Sequence, residues 1–127
     1  MKKQNSTEIN GISENLKKGI TEMLILAFLN KKDMHIYAIL NFLDEYSDGV
    51  CKISYPYAAI YRLLDSKFIV ENGKKVDDNR LRQFYAITDT GRAYFESMKN
   101  DYATFINGVT SIFDALGEDN ENWTNQK

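Results

Sequence analysis

The chain has 127 residues, 43% hydrophobic and 27% charged, with a formal net charge of −2, which is the size and make-up of one ordinary globular domain. Its longest apolar run, Met23–Leu29, is far short of the roughly 20 residues a membrane span needs. The polar opening MKKQNSTEIN lacks the apolar stretch of a secretory signal. A single Cys excludes an internal disulfide and points to a reducing cytoplasm, and one Cys with one His leaves too few ligands for a zinc site.

Residues 1–10 are polar and unpatterned and are expected to form a disordered tail. Ile12, Leu16, Ile20, Met23, Leu24, Ala27 and Phe28 recur at helical steps, predicting a first helix that ends near Leu29. Lys31-Lys32-Asp33 breaks it. A second helix follows, with Ile36, Ile39, Leu40, Leu43 and Tyr46 on one stripe and Gly49 as its left-handed cap.

Ser54 reads as the N-cap of a third helix, with Pro56 in the first turn. Ile60, Leu63 and Leu64 point inward, and Tyr55, Ala58, Arg62 and Asp65 point outward, with Tyr61 and Ala59 on the flanks. Tyr57 leans toward the core side. Phe68-Ile69-Val70 and Arg82–Ile87 then read as two short strands. Between them Asn72-Gly73 ends the first strand and Lys74–Leu81 makes a long polar tip. Thr88 or Asp89 caps the last helix.

In that helix Phe95, Met98, Tyr102, Phe105, Val109, Ile112 and Leu116 alternate steps of three and four, widened by Ile106 and Phe113. This is an a/d seam over three heptads. A domain of three helices and a hairpin offers it no place to be buried, so a second copy of the same stripe is the expected partner. The expected division is a tail over 1–10, a winged domain over 11–92, a dimerisation helix over 93–116 and an acidic flexible tail over 117–127.

The predicted class is therefore mainly α with a small β-hairpin: a winged helix-turn-helix plus a C-terminal dimerisation helix. Charge supports a duplex DNA partner, because residues 52–92 carry eight Lys or Arg, including all four Arg, against five acids. Ala58 and its neighbour Ala59 are small enough to let a helix into a major groove about 12 Å wide. Ser54, Tyr55, Tyr57 and Tyr61 offer hydroxyls, Arg62 suits guanine or phosphate, and Lys74, Lys75, Arg80 and Arg82 suit the backbone. Tyr37, near the start of the second helix, reads as part packing and part backbone contact. His35 and Cys51 have no partner near them in sequence and read as structural. No nucleophile–base pair, carboxylate pair or Gly-rich phosphate loop occurs at usable spacing, so neither enzymatic chemistry nor a cofactor is expected.

Four segments in order carry a resemblance to one family. LKKGITEMLILAFL (Leu16–Leu29) resembles the first helix of the PadR family of bacterial transcriptional regulators. MHIYAIL (Met34–Leu40) resembles its His-Gly-Tyr-x-Ile segment, and YAAIYRLLDSKFI (Tyr57–Ile69) its Tyr-Pro-x-Leu-x-x-Leu recognition helix. FYAITDTGRAYF (Phe84–Phe95) resembles its Tyr-x-Leu-Thr-x-x-Gly motif. Ile36 stands where the family has Gly, Ala58 where it has Pro, and Pro56 precedes the Tyr. The single short C-terminal helix resembles the smaller subclass.

The resemblance implies a homodimeric repressor on near-palindromic promoter DNA, released by a small aromatic or lipophilic ligand. That ligand would occupy an apolar cavity between the last helix and the first. Tyr102 is the first candidate contact, with Met98 and Ile20 beside it. Two alternatives stay open: a ligand-sensing module, and a winged helix that docks on protein. The acidic Asp65 on the outward face of the third helix keeps the second of these in view.

Overall fold

The computed structural model describes residues 20–117. In chain order these form α1 (residues 20–29), β1 (Met34–His35), α2 (Ile36–Tyr46), α3 (Pro56–Asp65), β2 (Ile69–Asp77), β3 (Arg80–Ile87) and α4 (Asp89–Gly117). The chain divides into two compact units, one ending at Phe95 and the other beginning at Glu96. The expected tail over 1–10, Ile12, Leu16 and the residues after Gly117 lie outside the described residues.

In the first unit the core is built from Ile25, Leu26 and Leu29 of α1, Ile39 and Leu43 of α2, Ile60 and Leu63 of α3, and Ile69 of β2. The inward face of α1 differs from the predicted one. Met23, Ile25, Leu26 and Leu29 are buried, whereas Ile20, Leu24, Ala27 and Phe28 are half-buried. Every residue from Met23 to Leu29 is apolar, so periodicity alone could not choose the side. Tyr46, predicted on the inward stripe of α2, is instead 71% exposed. At the last position of the helix it lies beyond the core, and its ring packs on Phe42 and Phe28 at centroid distances of 5.5 and 6.0 Å.

Helix ends follow local chemistry. After α2 the left-handed conformation falls on Asp48 as well as Gly49, and the Gly49 N–H donates to the Asp44 carbonyl at 2.8 Å. The cap position of α3 is Tyr55 rather than Ser54. Pro56 takes the first helical position, and its ring keeps the residue before it out of the helical region. On α3 Leu64 is half-buried and Ala59 fully buried, one step round from the predicted inward face. Lys67 closes α3 with positive φ, and the Phe68 N–H reaches back to the Leu63 carbonyl at 3.0 Å.

The hairpin is longer than its sequence indicated. Lys74–Leu81, read as a long polar tip, is paired strand except for Asp78 and Asn79. Both of these have positive φ, the requirement of a two-residue type I′ hairpin turn. Asn72-Gly73 ends no strand. It is an irregularity between Glu71 and Lys74, with Gly73 at positive φ, and the ribbon continues past it. β1, absent from the sequence reading, pairs antiparallel with β3 through Met34↔Tyr85 and His35↔Phe84. The sheet therefore has three strands in the order β1-β3-β2.

Thr88 is the cap of α4. Its hydroxyl accepts the Gly91 N–H at 3.0 Å and donates to the Lys67 carbonyl at 2.8 Å. Gly91 sits directly on the Phe68 backbone, where a Cβ would lie 2.0 Å from the Phe68 carbonyl oxygen. Phe95, predicted as the first residue of the seam, is instead buried in its own chain.

In the second unit, residues 96–117 continue α4 as helix. Met98 and Val109 are half-buried. Tyr102, Phe105, Ile106, Ile112, Phe113 and Leu116 are exposed, Phe105 at 70%. No helix among the described residues is long and apolar enough to cross a membrane.

Candidate nucleic-acid interface

α3 presents Tyr57, Ala58, Tyr61, Arg62 and Asp65 to solvent, preceded by the exposed Ser54 and Tyr55. Tyr57 and Tyr61, one turn apart, have ring centroids 6.3 Å apart. Partial burial, then the neighbouring Tyr37, raise the Tyr57 pKa above its ordinary value. Tyr57 is 44% exposed, more open than its predicted lean toward the core.

Arg62 is not idle on this face. Its Nε donates to the Glu22 carboxylate of α1 at 2.5 Å. Half of this pair is sheltered, since the Glu22 side chain is 20% exposed. To meet a base or a phosphate, Arg62 must leave or share that partner.

On the wing, residues directly opposite in the ladder share a face. Lys75 faces Arg82 and Asp77 faces Arg80, while Lys74 faces Gln83 and Val76 faces Leu81. The four basic residues grouped by sequence therefore divide, with Lys75, Arg80 and Arg82 on one side and Lys74 on the other. Val76 and Leu81, both exposed, form an apolar cross-strand pair that the sequence reading passed over.

The side bearing Arg82 turns toward the start of α2. The Arg82 guanidinium lies 4.3 Å from the centroid of the Tyr37 ring, a cation–π contact. Its Nε is buried without a hydrogen-bond partner. Lys75 Nζ lies 4.8 Å from the Phe84 ring centroid.

His35 is buried, as a structural residue should be, but it has a partner 42 residues away: its Nε2 lies 2.7 Å from Asp77 Oδ2. Nothing short-range in the sequence could signal that contact. Cys51 is a free, half-buried thiol. No metal-binding group of His, Cys, Asp and Glu occurs among the described residues.

Three helices followed by an antiparallel basic ribbon, with the outward side of the third helix uncovered, define a winged helix-turn-helix protein. Residues 25–97 match the transcriptional regulator PadR-like family, and the chain belongs to it. That makes it a DNA-binding transcriptional regulator and not an enzyme.

The fold is shared with solved structures. A PadR family transcriptional regulator from Eggerthella lenta DSM 2243 superimposes with a TM-score of 0.72 at 19% identity, covering 92% of this chain and 98% of that one. A transcriptional regulator from Clostridium thermocellum gives 0.69 at 20% identity over 76% and 96%. A PadR-like transcriptional regulator from Bacillus cereus strain ATCC 14579 gives 0.67 at 24% identity over 78% and 96%. No curated protein matches the chain.

Proposed function

We propose that the chain acts as a homodimeric repressor on a near-palindromic operator, each copy reading one half-site with α3 and the wing. The observation that carries this reading is the apolar face of α4. Phe105, Ile112, Phe113 and Leu116 lie exposed along the last three turns or so of one helix, and burying each is worth about 1.5–3 kcal/mol. A second copy supplies the same stripe, and two-fold pairing sets two α3 helices on one duplex with half-sites about one turn apart. Ser54, Tyr55, Tyr57, Ala58 and Tyr61 would meet the groove and its rim. Tyr37, Lys74, Lys75, Arg80 and Arg82 would meet the backbone.

Repression, and release by a small lipophilic or aromatic ligand, rest on the family resemblance. Met98, Tyr102 and Ile20 are its candidate contacts. Titrating a fluorescent apolar dye into the full chain, with and without Tyr102→Ala, tests the ligand.

Fluorescence anisotropy on a duplex selected by the full chain from a random-sequence library tests the DNA reading. Contacts from the wing residues of two chains predict a log–log salt slope of roughly −4 to −7. A flat slope would favour α3 as a protein-docking surface. Glu22→Gln frees Arg62 from an ion pair of a kind worth about 0–1 kcal/mol. It is expected to tighten binding up to about fivefold if Arg62 contacts the duplex. Unchanged affinity in Glu22→Gln together with unchanged affinity in Arg62→Ala removes Arg62 from the reading set.

A further inference from the structure

The start of α2 grips one face of the wing at three points. His35 Nδ1 accepts the Ala38 N–H at 3.2 Å, so the ring proton sits on Nε2 and is donated to Asp77 Oδ2 at 2.7 Å. The same imidazole meets the Phe84 ring edge-on, with centroids 5.2 Å apart at 85°. Two residues later, Tyr37 carries the Arg82 guanidinium on its ring. Asp77, Phe84 and Arg82 lie on one side of the ribbon.

Beyond Gly73 the ribbon is two-stranded, since β1 pairs only with Phe84 and Tyr85 of β3. Such a ribbon is marginal alone, and its posture depends on what it leans against. An acid on a phosphate-binding ribbon also opposes its task, and the contact with His35 gives Asp77 a reason to be there.

We infer that His35 and Tyr37 are positioning residues for DNA recognition. They lock the wing through Asp77, Phe84 and Arg82 in the posture that places its basic side chains beside α3. This rests on the DNA-reading role of the wing proposed above. The lock ties that role to α2, the first helix of the helix-turn-helix pair, so that wing and reading helix move as one body.

Asp77 is the residue to test, because its side chain is 57% exposed and its loss leaves the core intact. Asp77→Ala removes the acceptor and the charge, whereas Asp77→Asn removes only the charge. Amide hydrogen exchange over residues 74–83 of the free full chain is expected to rise about tenfold in the Ala variant, the scale of one charge-assisted hydrogen bond, and to return most of the way in Asn. Affinity for the library-selected duplex is expected to fall about five- to tenfold in Ala and to recover in Asn.

Charge alone predicts the opposite sign, since deleting an acid from a DNA-facing ribbon tightens binding. Wing exchange unchanged in Asp77→Ala overturns the lock. Binding of the selected duplex by Asp77→Ala as tight as or tighter than wild type overturns its role in recognition. If the wild-type chain enriches no sequence, the DNA reading fails, and exchange alone then decides the lock.

Discussion

Gly91→Ala is expected to destabilise the winged domain by about 3 kcal/mol or more, the upper range for overpacking a closed site. The added methyl would stand 2.0 Å from the Phe68 carbonyl oxygen and 2.9 Å from the Ile87 side chain. Neither neighbour can yield cheaply. The Phe68 carbonyl also accepts the Thr88 N–H at 3.0 Å, and Ile87 is the last residue of β3, opposite Ile69 of β2. The collision would therefore push α4 off the end of the sheet and disturb the Thr88 cap with it. Urea unfolding followed by far-ultraviolet circular dichroism measures the loss. A midpoint within error of wild type would show that α4 does not sit this close. Thr88→Ala at the same junction is a milder change, because it removes a cap and leaves space.

Phe105→Asp combined with Phe113→Asp carries the second large effect. Both rings are mostly exposed in the single chain, so their loss leaves the winged domain folded. Two charges in the proposed seam would oppose pairing, since each unpaired carboxylate there must be desolvated. The variant is expected to run as a monomer and to lose about 100-fold in affinity for the selected duplex, the low end of what joining two binding modules contributes. Size-exclusion chromatography with light scattering, alongside anisotropy, reads both quantities. A variant that still pairs, or that binds as well while monomeric, would remove α4 from the account.

The parts of this fold that sequence conveyed were those written in short-range pattern. Ile60 and Leu63 on the inward side of α3, the helix that follows the hairpin and Thr88 as one of its two candidate caps all follow from spacing within a few residues. The Tyr-x-Leu-Thr-x-x-Gly resemblance over Tyr85–Gly91 marks a junction whose physical content is now explicit: the threonine caps α4 and the glycine lets it touch Phe68.

What escaped was set by three-dimensional competition. The run Met23–Leu29 is apolar on every side, so only packing against α2 and α3 could select its buried face. Lys74–Leu81 looks like a loop because six of its eight residues are polar, yet both faces of a projecting ribbon are wet and strands there need no apolar alternation. The turn residues Asp78 and Asn79 held the better signal, since both tolerate left-handed backbone.

Within the candidate interface, the outward placing of Ala58, Arg62 and Asp65 on α3 was legible from helical periodicity, whereas the exposure of Tyr57 was not. The pairing of Arg62 with Glu22 spans 40 residues and that of His35 with Asp77 spans 42, and no local pattern encodes either. Both change the chemistry that the individual residues seemed to offer. An arginine that reads as free is already engaged, and a histidine that reads as solitary holds the wing.

Sedimentation equilibrium of the full chain bound to its library-selected duplex tests the central claim most directly. The account predicts a complex heavier than the duplex by two chains of 14.7 kDa each, with protection of two half-sites about one helical turn apart. One bound chain per duplex, or protection of a single undivided site, would contradict it.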